Sequence, residues 1–352
     1  MGINGLNHCI KNFILKSINL HSRKELVIKL KAAILINKNE IKVADLHMPI
    51  PGDNQILVRN KFCLICNSTD TKFYTGKYSR IKYPCIIGHE SVGIVESIGK
   101  NIDEVHEGDF VLGGSYPESS KIASFWGQFS EYGIVDKEEI VQIPSGVKLE
   151  TAALSHMLSE ALNAAIVSDL KPGDNIIIIG SGAVGSSLIT ITKHFFPANI
   201  IVIDLIQEKL DFATKLGADA VFNAKDFNIS KKIKEITGGK PTDIIFEATG
   251  LQNAYDMAIN IADYGTKILA FGIIEEKFSV AFRNAYDKEL QIRWCTSVGK
   301  GGNDNKKNVL NMMKKNLINT DLLITSQFSL NDLKMAFNKI VQGKEIRVMI
   351  SI

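Results

Sequence analysis

Three side chains of this chain could share a metal ion: Cys66 and, farther along, the adjacent pair His89 and Glu90. A thiolate, an imidazole and a carboxylate are ligands that zinc takes when one tetrahedral position stays open for water or substrate. Zinc lowers the pKa of a bound hydroxyl, which suits oxidation of an alcohol by hydride transfer to a nicotinamide. Because adjacent His and Glu residues are common by chance, this pair taken alone favours a non-catalytic interpretation.

A glycine-rich stretch provides a second, independent signal. The run Ile176 to Ile179 is typical of a strand that is buried on both faces of a parallel sheet. It leads into Gly180, Gly182 and Gly185 at G-x-G-x-x-G spacing, and a helix-compatible segment begins near Ala183. The glycines permit a tight turn, close approach of a pyrophosphate and close packing of helix on strand. The helix N-terminus would offer free N–H groups to the phosphates.

An acidic residue at the end of the next strand indicates which dinucleotide would bind. The apolar run Ile200 to Ile203 ends in Asp204, where a carboxylate would accept both ribose hydroxyls and repel a 2′-phosphate. The expected cofactor is therefore NAD rather than NADP. The alternative is a glycine-rich turn in an unrelated α/β protein, which the joint presence of strand, glycines, helix and acid disfavours.

Length and composition exclude several classes of protein. The chain has 352 residues, enough for two domains, with 45% hydrophobic residues and a formal net charge of +3. No apolar run reaches membrane-spanning length, and the small charge gives no reason to expect nucleic acid as a partner. The five cysteines are Cys9, Cys63, Cys66, Cys85 and Cys295. Their odd number and scattered positions predict reduced thiols and a cytoplasmic protein.

The first 30 residues differ from the rest because they are strongly basic, with Glu25 as the one acid among several lysines and arginines. The basic residues of this end of the chain are Lys11, Lys16, Arg23, Lys24, Lys29 and Lys31. A basic amphipathic helix on a membrane and a transit peptide are both compatible with this pattern. A poorly ordered N-terminal extension is the preferred interpretation.

The elements that would position these residues fall into two kinds. Short apolar segments separated by Pro and Gly predict a β-rich region up to about residue 155. From about residue 156, strands alternate with helices, which is typical of a doubly wound parallel sheet. The last segments, with a closing strand at Arg347 to Ile350, are expected to return to the first domain. The predicted division is 1–30 as an extension, 31–155 with 290–352 as one domain, and 156–289 as a Rossmann NAD-binding domain.

The residues together resemble the zinc-dependent medium-chain dehydrogenases, in particular the branch of sorbitol, polyol and threonine dehydrogenases. The resemblance spans about residues 30–352. Besides the His89-Glu90 block and the glycine fingerprint, it rests on Lys31-Ala32-Ala33, Gly127-Gln128-Phe129-Ser130-Glu131-Tyr132 and Glu247-Ala248-Thr249-Gly250. It implies an α/β fold in which a GroES-like catalytic domain accompanies the Rossmann domain.

The resemblance also implies roles for individual residues. Cys66 and His89 would bind one catalytic zinc, and Glu90 would coordinate it directly or swing in during the cycle. Thr69 would pass a proton from the substrate hydroxyl towards solvent, and Asp70 would hold the zinc site from behind the ligands. The residues implied in NAD binding are Gly180, Gly182, Val184, Gly185, Asp204 and Lys209.

Several positions depart from the family pattern. One extra residue lies between Cys66 and the Thr-Asp pair, so Cys66 could be displaced and Cys63 could replace it, although a core thiol is the preferred interpretation of Cys63. His156 stands where the family often has Glu or Cys, and it is expected either to bind the metal or to pack in its helix. Lys72 stands where many relatives have a histidine that relays protons, so the path of the proton beyond Thr69 stays open. The four-cysteine loop of a structural zinc is missing from 113–129, so we expect one catalytic zinc and no structural zinc.

The sequence thus predicts an enzyme that interconverts a secondary alcohol (a polyol, cyclitol, sugar or amino alcohol) and its ketone with NAD. Two alternatives stay open: a zinc-free quinone or enoyl reductase of the same superfamily, and a non-catalytic NAD-binding protein. The resemblance implies a homodimer or homotetramer, with a small molecule as the partner and neither membrane nor nucleic acid.

Overall fold

The structure, a computed structural model, describes residues 28–78, 80–272, 278–295, 302–343 and 345–352. The predictions of a basic amphipathic helix, a transit peptide or an N-terminal extension fall mainly on residues 1–27, which lie outside the described residues. The described chain forms three sheets with helices between them.

The first sheet has four strands in the order β2-β1-β4-β7. These strands are β1 (Lys29–Asn37), β2 (Glu40–His47), β4 (Cys85–Ile86) and β7 (Ala123–Ser124). β1 and β2 form a hairpin, and Asn39 at its tip has a positive φ of 58°, a conformation that Asn tolerates well. β1 lies between β2 and β4, and four consecutive residues of it are buried.

The second sheet combines strands from the N-terminal part of the chain with strands from its C-terminal part. Its strands are β3 (Gln55–Leu64), β5 (Ser91–Ile98), β6 (Phe110–Leu112), β8 (Tyr132–Asp136), β15 (Ser326–Ser329) and β16 (Val348–Ser351). The order is β15-β16-β3-β5-β6, with β8 also paired to β3. Because β16 lies antiparallel to β3, with Met349 opposite Leu64, the last residues of the chain join the sheet that contains β3.

The third sheet is fully parallel and has six strands in the order β11-β10-β9-β12-β13-β14. They are β9 (Asn175–Ile179), β10 (Asn199–Asp204), β11 (Ala220–Asn223), β12 (Ile244–Glu247), β13 (Lys267–Ala270) and β14 (Gln291–Trp294). Relative to the chain this is the 3-2-1-4-5-6 order of dinucleotide-binding folds. The predicted Rossmann architecture is confirmed.

Alternate residues of the central strands enter two different cores, one on each face of this sheet. Ile176 and Ile178 of β9 belong to one cluster, together with Leu188 of a helix that follows β9. Ile177 belongs to the other, together with Ile233. Since side chains of a strand alternate between its faces, helices cover both faces, and a strand such as β9 must be apolar throughout.

The helices connect the strands and cover the sheets. They are α1 (Thr69–Tyr74), α2 (Leu149–Ala152), α3 (Ser155–Val167), α4 (Ala183–Thr192), α5 (Gln207–Leu216), α6 (Ile229–Ile236), α7 (Gln252–Ile261), α8 (Phe282–Asp287), α9 (Gly302–Lys314) and α10 (Leu333–Val341). Short 3₁₀ turns span Lys137–Glu139, Lys193–Phe195 and Leu330–Asp332.

The parallel sheet continues past residue 289, at which the sequence analysis ended the nucleotide-binding domain. β14 pairs with β13 over four residues, and α9 packs against α3. The domain division itself stays a prediction. The strand order reverses between β9 and β12, and in open α/β sheets the carboxyl ends of strands at such a point form a ligand-binding crevice.

Candidate active site

Cys66, His89 and Glu90 lie together because two neighbouring antiparallel strands end there. Cys66 follows β3, and the His89-Glu90 pair precedes β5. The register of the strands places Cys63 opposite Ser91, and Leu64 N donates to the Glu90 carbonyl over 3.1 Å. One ligand atom from each of the three side chains lies within 4.8 Å of the other two. This spread allows one metal ion to contact all three atoms.

Asp70 is fully buried behind the three residues and contacts two of them. Its Oδ2 accepts a hydrogen bond of 2.9 Å from Cys66 N, and its Oδ1 lies 3.3 Å from His89 Nδ1. A carboxylate on Nδ1 orients the ring and leaves Nε2 for a metal. Cys66 Sγ also accepts from Thr69 N over 3.4 Å.

Glu90 shares its buried position with Arg347, a residue just before β16. Glu90 Oε2 pairs with Arg347 Nη2, and both side chains are almost completely buried. The other oxygen, Oε1, is buried and has no hydrogen-bond partner among the described residues. Because a buried polar atom without a partner costs free energy, this oxygen calls for a cation or a polar ligand. The donor set therefore fits a catalytic zinc ion.

His89 occupies a setting that favours positive charge. Burial acts to lower its pKa, but the Asp70 carboxylate and the Cys66 thiol outweigh burial and hold the pKa well above its usual value. Its side chain is only 9% exposed, and the Trp126 ring lies with its centroid 4.9 Å from the imidazole centroid. A divalent cation would supply the positive charge that this setting stabilises.

The extra residue after Cys66 does not displace this thiol from His89 and Glu90. α1 begins at Thr69, and Asp70 still reaches Cys66 N. Cys63 lies in β3, is completely buried in the hydrophobic core and is not part of the three-residue group. Burial raises its pKa well above the usual thiol value. These positions favour the interpretation of Cys63 as a core thiol.

His156 lies beside the group but is not one of its three members. Its ring centroid is 5.2 Å from that of His89, and its Nε2 lies 3.2 Å from Glu160 Oε1, one turn along α3. The pairing with Glu160 occupies one of its two ring nitrogens. A role for His156 as a ligand stays a prediction.

The three glycines of the fingerprint have the surroundings that their predicted roles require. Gly180 has a φ of +97°, which only glycine adopts readily. A Cβ on Gly185 would lie 1.9 Å from the Gly180 carbonyl oxygen, whereas a Cβ on Gly182 would have no atom within 4 Å. Gly185 thus permits close packing of α4 on the turn, and Gly182 borders open space at the start of that helix.

Asp204 ends β10 beside the glycine turn. Its Oδ2 accepts a hydrogen bond from Ser181 N over 2.7 Å, and its Oδ1 accepts from Ile206 N over 3.0 Å. Each carboxylate oxygen can accept a second bond. Val184 in α4 and Lys209 in α5 are half-buried near this turn, and the Lys209 carbonyl accepts from Ser181 Oγ. The predicted NAD-binding residues therefore occur on adjoining elements.

The structure adds residues that the sequence analysis missed. Arg347 could have been noticed as a lone cation at the start of the apolar closing strand. Glu160 had a weaker signal, its spacing of one helical turn from His156. Trp126 and Gln128, whose Oε1 accepts from Ser91 N over 2.8 Å, had none, because their contacts are distant in sequence.

Comparison with known proteins assigns both halves of the chain. The alcohol dehydrogenase GroES-like domain matches residues 52–145, and the zinc-binding dehydrogenase domain matches residues 183–315. Together the two matches cover more than half of the chain. The chain belongs to the zinc-dependent medium-chain dehydrogenase family.

Relatives within this family span almost the whole chain. Sorbitol dehydrogenase of Bacillus subtilis is 28% identical over 91% of this chain and 97% of its own length. D-xylulose reductase of Saccharomyces cerevisiae is 26% identical over 88% of this chain and 93% of its own length. The crystal structure of 2R,3R-butanediol dehydrogenase from Bacillus subtilis is 24% identical, with a TM-score of 0.81 over 92% of this chain and 99% of that chain.

Sorbitol dehydrogenase and D-xylulose reductase support a family member that is an oxidoreductase interconverting alcohols and ketones. The shared GroES-like and Rossmann domains confirm the predicted fold class. Within the described residues, every helix is too short or too polar to cross a lipid bilayer.

Proposed function

We propose that this protein is an NAD-dependent zinc dehydrogenase that oxidises a secondary alcohol to its ketone and catalyses the reverse reaction. The observation that carries the proposal is the convergence of Cys66, His89 and Glu90, with the Glu90 Oε1 atom buried and without a partner among the described residues. This donor set belongs to a protein whose parallel sheet has a dinucleotide-binding turn.

Cys66, His89 and Glu90 would hold the metal. When bound, zinc acts as a Lewis acid that lowers the pKa of a substrate hydroxyl. Asp70 keeps the His89 ring and the Cys66 backbone in place through contacts to both. Arg347 pairs with one oxygen of Glu90 and so gives this buried carboxylate a counter-ion.

The proton of the alcohol has to leave the buried site. Thr69, which precedes Asp70 and whose N–H contacts Cys66 Sγ, is the residue that we assign to this step. Its hydroxyl can accept one hydrogen bond while it donates another, which is what a proton relay requires. The relay beyond Thr69 is left open, because Lys72 stands where relatives have a histidine.

The nucleotide would bind at the carboxyl ends of β9 and β10. The open space at Gly182 gives the pyrophosphate access to the N-terminus of α4, where N–H groups and the helix dipole favour negative charge. Asp204 would accept ribose hydroxyls and repel a 2′-phosphate, which supports NAD over NADP. Val184 and Lys209 would complete this site, with Lys209 placing positive charge near the ribose.

The substrate proposal draws on the relatives. The names of three relatives contain sorbitol, D-xylulose and 2R,3R-butanediol. In each of these compounds the reacting carbon has a neighbouring carbon that carries oxygen. We infer a secondary alcohol of the polyol, cyclitol, sugar or amino alcohol class.

The experiment combines hydride transfer with metal analysis. Purified protein is assayed for reduction of NAD and NADP with a panel of polyols, cyclitols, simple secondary alcohols and amino alcohols, and its zinc content is measured. We expect turnover with NAD and one zinc per chain. Cys66→Ser and His89→Ala should abolish turnover while NADH still binds. His106 is 84% exposed, and His106→Ala should change neither turnover nor NADH binding.

Two results would contradict this assignment. Full turnover in both Cys66→Ser and His89→Ala would exclude the metal site. Active protein without zinc would favour a zinc-free reductase.

We also propose that the protein forms a homodimer or homotetramer. β14 is the outer strand of the parallel sheet, and Trp294 on it is 62% exposed. Among the described residues no strand pairs with the outer side of β14, and such an edge with a large apolar side chain is a surface that a second copy of the chain can pair with. Sedimentation velocity would test this, and a monomer at micromolar concentration would contradict it.

A further inference from the structure

Trp126 packs against the ring of His89 and is itself half exposed. The indole and imidazole centroids are 4.9 Å apart, with an angle of 46° between the ring planes. Trp126 is 51% exposed, whereas the His89 side chain is only 9% exposed. The indole thus covers one side of the candidate metal ligand and presents much of its own surface to the surroundings.

The backbone fixes the position of this indole. Trp126 has a φ of +62°, a region that bulky side chains rarely adopt. The residues on either side of the Trp126-Gly127 turn are hydrogen-bonded to the segment that leads to His89: Phe125 N donates to the Ile86 carbonyl and Gln128 N to the Gly88 carbonyl. Such a conformation persists when surrounding contacts determine it, and such residues cluster at ligand sites.

An aromatic cluster centred on the buried Phe73 supports the indole. The Phe73 ring, which is 1% exposed, has its centroid 6.3 Å from that of Trp126, 5.0 Å from Phe125 and 4.7 Å from Tyr78. Because Phe73 belongs to α1, the helix that also contains Asp70, the indole and the candidate metal site share one rigid support. An exposed aromatic ring held this firmly loses little conformational entropy when a ligand covers it.

We propose that Trp126 determines substrate specificity by stacking on the C–H face of a neutral, polyhydroxylated carbon skeleton, linear or cyclic. The inference rests on the proposed dehydrogenase function and narrows its substrate class. The face of an indole carries negative charge density, and C–H bonds next to hydroxyls are polarised towards positive hydrogen. A polyol or cyclitol can place those hydrogens on the ring while its hydroxyls point to water or polar groups.

The charges near Trp126 argue against an amino alcohol. An ammonium group would be attracted to the indole face, but it would lie close to a divalent cation. The Asp70 and Glu160 carboxylates do not offset this repulsion, because Asp70 is buried behind the candidate ligands and Glu160 pairs with His156.

The kinetic test compares xylitol with propan-2-ol, a secondary alcohol that has no other hydroxyl. Trp126→Gly removes the indole and suits the positive φ, and Trp126→Phe keeps a smaller ring. We expect Trp126→Gly to raise KM for xylitol roughly tenfold more than KM for propan-2-ol, and Trp126→Phe to have a smaller effect of the same kind. Phe196→Gly is the matched control, because Phe196 is also an exposed aromatic residue with a positive φ of 55°, and it should leave both KM values unchanged.

A binding test does not depend on turnover. The chain has two tryptophans, so Trp294→Phe leaves Trp126 as the only indole emitter. We expect xylitol to shift the emission of this zinc-loaded variant to shorter wavelength with saturation, and propan-2-ol at equal concentration not to shift it. An emission shift to shorter wavelength reports that the indole has moved from water to a less polar environment.

The outcomes separate the inference from the proposed function. Equal KM changes for the two alcohols, or a larger loss for 1-amino-2-propanol than for xylitol, would overturn the role of Trp126 even if turnover is normal. A saturable shift without hydride transfer would support stacking on the polyol and contradict the dehydrogenase proposal. Turnover of xylitol with no emission shift would overturn the inference and leave the dehydrogenase function standing.

Discussion

Asp70 shows how one residue can determine the arrangement of a whole site. It is completely buried, and it contacts the backbone of one candidate ligand and the ring of another. A buried carboxylate that held neither group would be costly. Its position makes sense if the two ligands must keep a fixed separation for a metal ion.

We predict that Asp70→Asn weakens zinc binding by about 10- to 100-fold, because the amide cannot hold the His89 ring with Nε2 towards the metal as a carboxylate does. Competition with a chromophoric chelator would measure the affinity. Asp109→Asn, at a partly exposed carboxylate that accepts from His106 N, is the matched control. Unchanged affinity in Asp70→Asn would show that the contact is structural only.

Asp204 is the residue on which cofactor choice depends. We predict that Asp204→Ala weakens NADH binding roughly tenfold and narrows its advantage over NADPH, because a carboxylate that accepts ribose hydroxyls and repels phosphate is lost. Fluorescence titration with the two reduced cofactors would measure this. Asp211→Ala, an exposed acid on the neighbouring α5, should leave both affinities unchanged. Equal NADH affinity in Asp204→Ala and the unmodified protein would contradict the assignment.

At the scale of elements, the turn between β9 and α4 combines two requirements that different glycines meet. Gly185 lets the helix lie directly against the Gly180 carbonyl, and Gly182 faces open space. Gly185 is required for packing of the helix, whereas Gly182 leaves room for the pyrophosphate. Within one turn, different glycines therefore serve stability and cofactor binding.

We predict that two Gly→Ala changes in this turn affect different properties, one the stability and the other the cofactor affinity. Gly185→Ala should lower the free energy of unfolding by about 2 kcal/mol or more, because its Cβ would overlap a backbone oxygen that cannot move easily. Gly182→Ala should leave thermal stability unchanged and weaken NADH binding, because its Cβ would fill the pyrophosphate path. Thermal unfolding and cofactor titration of both variants would test this. Normal stability of Gly185→Ala, or normal NADH affinity of Gly182→Ala, would be inconsistent with these roles.

At the scale of the whole molecule, the central parallel sheet contains a buried acid whose ionisation affects folding. Glu247 ends β12, is completely buried in the structure and accepts hydrogen bonds from Thr249 N and Gly250 N. Burial raises its pKa above the usual value, although the hydrogen bonds from Thr249 and Gly250 act to lower it. A carboxyl with a raised pKa in the folded protein favours folding while it is protonated, and that contribution is lost as pH rises through the folded pKa.

We predict that Glu247→Gln becomes more stable relative to the unmodified protein as pH rises from about 4 to about 7, because glutamine does not ionise in the core. The lost or altered hydrogen bonds add an offset that does not vary with pH, so the slope is the quantity to measure. Urea unfolding at several pH values would give it, with exposed Glu208→Gln as control. A stability difference that is constant with pH would refute a raised pKa of Glu247.

The sequence alone determined the features that depend on local pattern. Buried β-branched runs indicated β9 and β10, and alternation of strands and helices indicated the doubly wound sheet. These features can be read along the chain because strand and helix periodicities are properties of neighbouring residues.

Only the tertiary structure decided which distant side chains meet. Arg347 reaches Glu90 because β16 returns beside β3, His156 turns to Glu160, and Trp126 lies over His89 because its turn is tied to the segment before β5. Contacts of this kind depend on strand order and register, which residue types alone do not specify. The chemistry of the candidate ligands was thus readable from the sequence, whereas the shape and partners of the site were products of folding.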